Sequence, residues 1–214
     1  MARGYRYHFM KISLNSKTTA GLKTSQEKKG FRETRESDET DLRSLKFEIP
    51  VADQVHLRWM LSRDVGQVSA IERSCFEFSW TEEEFTRCLR QRNCVGMVAE
   101  CHGEIVGFMI YELTRNRISL LNLGIHPRFR GHHVGRRLIE KLIGKLSGER
   151  RNRVICEVRE KNLSAQLFFR SLGFRAVSIL RNFYDQTRED AYVMQYRVSE
   201  TRDEVRQETR RRAA

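Results

Sequence analysis

A short stretch of the sequence, "FRGHHVGRRLIEKL" at residues 129–142, combines glycine, basic residues and the start of a helical pattern. Apolar residues recur at helical spacing from Val134 onward, so we predict that a helix begins there. A helix amino terminus presents backbone N–H groups and partial positive charge, and both favour a bound anion. The segment from Arg130 to Arg136 is therefore a candidate binding site for a pyrophosphate.

His133 occupies a position in this turn where a small residue such as glycine would obstruct a ligand less than histidine does. Glycine is needed there only if φ is positive or if a phosphate packs against the α-carbon. Histidine tolerates left-handed backbone comparatively well, and Gly131 is available to absorb part of the turn. We expect the turn to keep its ligand, and a loop that has lost its ligand is the alternative. His132 and His133 are not predicted to bind a metal, because adjacent side chains seldom converge on one ion.

A second candidate group is Glu157, in the alternating stretch "RVICEVRE" at residues 153–160. The alternation predicts a strand with Cys156 on one face and with Glu157 and Arg159 on the other. A carboxylate in this place could act as a proton acceptor. It could equally be an exposed carboxylate paired with Arg159. The residues alone do not separate these two interpretations.

The composition limits the class of protein. A length of 214 residues favours one domain with extensions. The net charge of +12 suggests attraction to a phosphorylated ligand, RNA or an acidic protein, although 28 interspersed acidic residues also fit a solvated mixed-charge surface. Five cysteines without metal-ligand spacing predict reduced thiols in a cytoplasmic protein, with neither disulfides nor zinc. Because no apolar run approaches a signal peptide or a membrane span, we expect no membrane association.

The chain divides into three parts by composition. Residues 1–50 are polar and mixed in charge, and we predict a disordered arm. Apolar periodicity runs through residues 51–198, which we predict to be the folded domain. Residues 199–214 are predicted to form a charged carboxyl-terminal tail. Either extension could contact RNA or simply aid solubility.

Periods of two and 3.6 residues alternate along the domain, which predicts a mixed α/β fold. Thr81 is the expected N-cap of one helix, and Asn162 begins another that Gly173 ends. The predicted elements are a strand at 56–61, helices at 64–76 and 81–91, a hairpin at 94–113 that turns at His102 and Gly103, a strand at 117–125, the helix from Val134, a strand at 153–160, the helix after Asn162, and strands at 174–180 and 191–198, with a long loop at 181–190.

From about Val51 to Val198 the sequence resembles the GCN5-related N-acetyltransferase (GNAT) family, and within it the branch that acetylates the amino-terminal alanine of a ribosomal protein. The family's phosphate signature, Gln/Arg-x-x-Gly-x-Gly/Ala, is matched at Arg130 and Gly135, while His133 replaces the middle glycine. Four further motifs carry the resemblance: "FSWTEEEF" at 78–85, "LLNLGIHPRFR" at 120–130, "CEVREKNLSAQLFFRSLGF" at 156–174 and "RNFYDQTREDAYVMQY" at 181–196.

The resemblance implies an α/β fold with a single mixed, mostly antiparallel sheet of about six to seven strands, flanked by about four helices. It implies that the sheet is splayed at the strand that binds acetyl-CoA. Acetyl-CoA is then the co-substrate, and no metal is expected. The residues expected to bind acetyl-CoA are Leu123, Gly124, Ile125, Arg130, Gly131, His132, His133, Val134, Gly135, Arg136, Asn162 and Phe169.

The resemblance also assigns catalytic roles. Glu157 falls at the position of the general base, where a carboxylate could reach the amine directly or through water. Phe169 falls where the branch has a tyrosine that acts as general acid, so this hydroxyl is missing. A thiol has a pKa near 8.5, so its thiolate can leave without that acid. Tyr184 is the nearest aligned phenol, and it could replace the acid or line the peptide site.

The implied function is transfer of acetyl from acetyl-CoA to the amino-terminal α-amine of a protein, such as a ribosomal protein. Removing a proton at pH 7 costs about 1.4 kcal/mol for an α-amine and about 4.6 kcal/mol for lysine, which favours the α-amine unless burial lowers a lysine pKa. The basic charge could support association with the ribosome or RNA. Two alternatives remain open: acetylation of a small amine such as a polyamine or aminoglycoside, and a non-catalytic GNAT-fold protein that binds the ribosome or RNA.

Overall fold

The structure, a computed structural model, describes residues 11–13 and 54–198. These residues form an eight-stranded sheet and four helices. The strands are β1 (Lys11–Ser13), β2 (His56–Trp59), β3 (Cys94–Cys101), β4 (Glu104–Leu113), β5 (Ile118–Ile125), β6 (Arg153–Arg159), β7 (Arg175–Tyr184) and β8 (Glu189–Arg197), and the helices are α1 (Val65–Cys75), α2 (Glu82–Leu89), α3 (Val134–Ile143) and α4 (Leu163–Ser171).

The sheet is mixed and mostly antiparallel, as predicted. Its order is β2-β3-β4-β5-β6-β8-β7, and β1 adds to β5 outside this path. Along the path only β5 and β6 run parallel. The seven strands of the path and the four helices confirm the predicted fold class.

The sheet opens between β5 and β6. These two strands pair only through Ile118 with Val154 and Ser119 with Ile155, although β5 continues to Ile125. Beyond Ser119 the edge of β5 that faces β6 is therefore not paired with it. This opening confirms the splayed sheet that the resemblance implies.

Hydrophobic side chains fill both faces of the sheet, because successive residues of a strand point to opposite sides. Leu138 of α3 and Phe169 of α4 belong to one buried cluster. Val68 of α1 and Phe85 of α2 belong to the other. The helices thus cover the sheet in pairs, with α3 and α4 on one face and α1 and α2 on the other.

Local signals explain where several elements begin and turn. Thr81 caps α2 as predicted: its hydroxyl accepts a hydrogen bond from the Glu84 N–H at 3.2 Å, and the Glu84 carboxylate accepts one from the Thr81 N–H at 2.7 Å. This reciprocal pair satisfies two backbone donors at the helix start. The β3–β4 hairpin turns at His102 and Gly103, with φ of 50° and 82°, which is the left-handed backbone that a two-residue hairpin turn requires.

The prediction of a long loop at residues 181–190 was wrong. β7 continues to Tyr184 and β8 begins at Glu189, so only a short turn separates the two strands. The pairing register shifts between Leu180 and Tyr184, and Asn182 has a φ of 49°. A bulge of this kind breaks the alternation of side chains, so the sequence pattern shows no strand there.

The predicted arm at 1–50 and tail at 199–214 lie outside the described residues, apart from Lys11–Ser13. Those three residues form β1, a strand that the sequence analysis did not predict because three residues carry no readable alternation. Among the residues that the structure describes, no helix is both long enough and apolar enough to cross a bilayer.

Candidate active site

The turn before α3 contains two residues with left-handed backbone. His133 is the N-cap of the helix, with φ 60° and ψ 4°, and Gly131 has a φ of 81°. His133 therefore occupies the left-handed region, where glycine is normally favoured. The helix starts at Val134 as predicted, and the N–H groups of its first turn have no carbonyl partner within the helix.

These N–H groups border a cavity of about 290 Å³ between the turn, the end of β5 and α4. Gly135 brings the helix backbone close to α4, because an added Cβ would lie 3.4 Å from Phe168 Cζ. A larger side chain would intrude on this wall. The cavity is lined by Ile125, Arg130, Gly131, His133, Gly135 and Phe168, among others.

The Arg130 side chain turns back toward the sheet. Its Nε donates a hydrogen bond to the Ile125 carbonyl oxygen at 3.2 Å, and its Nη2 lies 3.3 Å from Cys75 Sγ. The guanidinium thereby joins the turn to the end of β5 and to α1. The Arg130 side chain thus helps to hold the turn in place beside the cavity.

Two predicted acetyl-CoA residues have structural contacts of their own. The Asn162 side chain accepts a hydrogen bond from the Ala165 N–H at 3.0 Å and so caps α4. Phe169 is fully buried and packs edge-on against Phe168 and Phe174. Of this aromatic group, Phe168 lines the cavity and Phe169 lies behind it in the core. The sequence alone could not distinguish two adjacent phenylalanines on one helix.

Glu157 lies on β6, the strand across the opening from β5. Burial raises the pKa of its carboxyl from the usual 4.5 to about 7, against the opposing positive charge of Arg117. Its Oε2 is buried, and within the described part of the chain no hydrogen-bond partner reaches it. A carboxylate with these properties exchanges a proton near neutral pH and has a lone pair available for a substrate.

Arg159 does not neutralise Glu157. Its Nη1 lies 3.3 Å from Glu189 Oε2, and Lys161 Nζ reaches the other oxygen of that carboxylate at 3.1 Å. The guanidinium also stacks over Tyr184, 4.3 Å from the ring centroid, and lies 5.6 Å from the centroid of Phe78. The interpretation of Glu157 as an exposed partner of Arg159 therefore does not hold.

Tyr184 lies beside Glu157, so the two predicted catalytic residues share one site. The Tyr184 hydroxyl donates a hydrogen bond to the Glu157 carbonyl oxygen at 3.4 Å. Burial raises the pKa of this phenol well above its usual value, so it stays protonated at neutral pH.

Glu72 is a buried residue in contact with β5 that the sequence analysis missed. Its buried carboxylate accepts hydrogen bonds from the Trp80 N–H at 3.0 Å and from Asn122 Nδ2 at 3.1 Å. It thereby ties the loop after α1 to β5. The missed signal was its spacing four residues after Val68, which places it on the buried face of α1.

The fold and the cleft are those of an acetyltransferase. The sequence profile of the Acetyltransferase (GNAT) family matches residues 65–174, slightly more than half of the chain. The protein belongs to this family and is an acyltransferase. Among the described residues, no group of three or more histidine, cysteine, aspartate or glutamate side chains is placed to hold a metal ion.

Individual relatives agree with this assignment. The chain is 30% identical over 138 residues to the [ribosomal protein bS18]-alanine N-acetyltransferase of Escherichia coli K12. The aligned region covers 64% of this chain and 93% of that protein. The crystal structure of the E. coli ribosomal-protein-S18-alanine N-acetyltransferase is similar, with a TM-score of 0.62 and 26% identity over 69% of this chain and 96% of that one. Arabidopsis thaliana NAA60 in complex with acetyl-CoA shares the fold at a TM-score of 0.61, with 20% identity over 67% of this chain and 99% of that one.

Proposed function

We propose that the protein transfers the acetyl group of acetyl-CoA to the amino-terminal α-amine of another protein. The observation that carries this proposal is the carboxylate of Glu157 on β6, the strand that diverges from β5: its buried Oε2 has no hydrogen-bond partner among the described residues, and burial raises its pKa to about 7. The similarity to an enzyme named for acetylating the alanine of ribosomal protein bS18 supports the same reaction type.

The cleft fits acetyl-CoA at both ends of the ligand. The backbone of Leu123, Gly124 and Ile125, on the edge of β5 that β6 leaves unpaired, is suited to the amide groups of the pantetheine arm. The turn from Arg130 to Arg136 presents the free N–H groups of α3 to the pyrophosphate. Acetyl-CoA, when bound, supplies an acetyl thioester at the end of the arm.

Glu157 acts as the proton acceptor for the attacking amine. A proton moves from an α-amine of pKa near 8 to a carboxylate of pKa about 7 at a cost of about 1.4 kcal/mol, whereas lysine at 10.4 costs about 4.6 kcal/mol. The lower pKa of the α-amine thus favours it over an unperturbed lysine. Direct transfer and transfer through one water both satisfy this role.

Tyr184 positions Glu157 and lines the peptide site. The phenol is a poor acid for a thiolate whose conjugate acid has a pKa near 8.5, because burial raises the phenol pKa far above that value. Its hydroxyl already donates to the Glu157 carbonyl oxygen, which holds β6 in place. The departing thiolate therefore needs no proton from Tyr184 in this scheme.

A ribosomal protein is the proposed class of acceptor, and the cytoplasm is the proposed location. The net charge of +12 supports association with ribosomal RNA, and α3 carries Arg136, Arg137 and Lys141. We further propose that the catalytic domain spans residues 51–198, between an arm at 1–50 and a tail at 199–214. Salt should weaken binding to RNA steeply if this association is electrostatic.

The proposal is tested with a set of acceptors and [acetyl-¹⁴C]acetyl-CoA. One peptide carries a free amino-terminal alanine, a second has the same sequence with a blocked terminus and an internal lysine, and a polyamine and an aminoglycoside represent small amines. We expect label in the first peptide alone, and we expect the Glu157→Gln protein to lose at least about a hundredfold in rate. Label in the small amines alone would support the second enzymatic function, and no label in any acceptor would support a binding protein.

A further inference from the structure

One edge of β5 is open where the acetyl-CoA cleft begins. β4 occupies the first edge along the whole strand, from Ile118 to Ile125. β6 occupies the second edge only at Ile118 and Ser119. The backbone groups on that second edge, from about Leu120 to Ile125, are therefore available to another extended segment.

The segment that takes this edge is β1. Lys11, Ile12 and Ser13 pair in parallel with Asn122, Leu123 and Gly124. Because β4 already fills the other edge, β1 must lie on the side of β6. Cα atoms of β1 also lie within 8 Å of β6 and of α4, which bound the opening.

We infer that the segment Lys11–Ser13 is an intramolecular ligand of the acetyl-CoA cleft and competes with acetyl-CoA for the backbone of β5. Two extended groups cannot use one strand edge at once, because neighbouring strands lie only about 4.7–4.9 Å apart. This inference rests on the proposed function, which assigns Leu123 and Gly124 to the pantetheine arm. The inference adds that β1 restrains the access of acetyl-CoA to Leu123 and Gly124.

The tether makes a short strand an effective competitor. A three-residue segment binds weakly by itself, but β1 belongs to the same chain as β5, and this covalent connection gives it an effective concentration at the cleft on the order of millimolar. The apparent affinity for acetyl-CoA then falls in proportion to the fraction of molecules with an open cleft. Weakening β1 should raise that fraction and tighten the binding of acetyl-CoA.

The first test compares two full-length variants by calorimetry with acetyl-CoA. Ile12→Pro removes a backbone N–H and opposes strand pairing, whereas Ile12→Val keeps both the N–H and the strand preference. We expect the dissociation constant to fall by at least about threefold in the proline variant and to stay unchanged in the valine variant. Equal affinity in all three proteins, or weaker binding by the proline variant, would overturn the inference.

A second measurement needs no substitution. Trypsin cleaves after Lys11, and pairing with β5 should slow this cleavage in the native chain. Saturating acetyl-CoA should displace β1 and accelerate the appearance of the fragment cut at Lys11, followed by mass spectrometry. An unchanged or slower cleavage would contradict displacement.

The outcomes separate this inference from the proposed function. If native and proline proteins bind acetyl-CoA equally, the acetyl-CoA site stands and the competition by β1 is refuted. If neither protein binds acetyl-CoA, the proposed function fails at its binding step and the inference fails with it.

Discussion

Among single residues, His133 departs most clearly from the family's signature, because it replaces a glycine and has left-handed backbone. With φ at 60°, a histidine here carries a strain of about 1–2 kcal/mol that glycine would not. The turn nevertheless keeps its form, since Arg130 ties it to β5 and the N-terminal turn of α3 follows directly. The signature's middle glycine is therefore replaceable in this fold, at a cost in stability.

Substitution of His133 by glycine tests this strain. Glycine relieves the strain of the left-handed conformation but also raises the conformational entropy of the unfolded chain. The control is His132→Gly, at a position without positive φ, which shows the entropic effect alone. We expect the His133→Gly protein to be more stable than the His132→Gly protein by about 1 kcal/mol in urea unfolding. Equal stability of the two variants would show that the backbone at His133 is not strained.

Glu157, the proposed proton acceptor, also makes the stability of the protein depend on pH. Its pKa is about 7 in the folded protein and about 4.5 when unfolded, so the folded state binds the proton more tightly. The protonated carboxyl therefore stabilises the folded state. This stabilisation is fully present below pH 4.5 and is lost as pH rises through about 7. Replacement by glutamine, which does not ionise, removes this loss.

We therefore expect the Glu157→Gln protein to be more stable than the native chain above pH 7, by at most about 3 kcal/mol. The difference should shrink as pH falls and vanish near pH 4.5. Thermal unfolding of both proteins across pH 4.5–8.5 measures it. A constant difference across this range would mean that Glu157 titrates normally.

At the scale of the elements, β5 depends on glycine for its close contact with β4. An added Cβ at Gly124 would lie 2.5 Å from Phe108 Cε1, closer than packed carbon atoms approach. Phe108 is fully buried in the cluster beneath α1 and α2 and cannot easily move. The strand that is proposed to hold the pantetheine arm is thus held in place by a ring packed against its backbone.

Gly124→Ala should therefore destabilise the protein by about 1–3 kcal/mol through overpacking. The control is Gly66→Ala in α1, where an added Cβ meets nothing within 4 Å and alanine favours the helix. We expect the control to be neutral or stabilising in the same unfolding assay. A Gly124→Ala protein as stable as the native chain would show that Phe108 yields without cost.

Sequence patterns predicted most of the elements because their causes are local. The cap at Thr81, the left-handed turn at His102 and the start of α3 at Val134 each follow from a few adjacent residues. The extension of β7 to Tyr184 was missed because a bulge interrupts its alternation. β1 was missed because its pairing depends on a free edge of β5, which is a property of the assembled sheet.

The same distinction applies to the candidate site. The turn at residues 130–136 stands out in the sequence through residue type and spacing, and the resemblance to the GNAT family singles out the carboxylate of Glu157. Other features of the site depend on residues far apart in the chain. These features are the raised pKa of Glu157, the ion pair of Arg159 with Glu189 and the hydrogen bond of Glu72 with Asn122. Only tertiary packing brings these groups together, so no local pattern could reveal them.

At the scale of the whole molecule, the parallel pair β5 and β6 determines where chemistry can occur. Their divergence after Ser119 creates the cleft, α3 begins beside the end of β5, and Glu157 lies on β6. A chain that closed this opening with a full β5–β6 ladder would keep its core and lose its proposed site.

The most direct test is the rate of acetylation of a peptide with amino-terminal alanine, measured from pH 5.5 to 9 with saturating acetyl-CoA. The account predicts that the native protein's rate rises with pH through a limb near 7, and that Glu157→Gln lowers the rate by at least about a hundredfold and removes this limb. A Glu157→Gln protein with the native rate and the native pH profile would contradict the assignment of Glu157 as the proton acceptor.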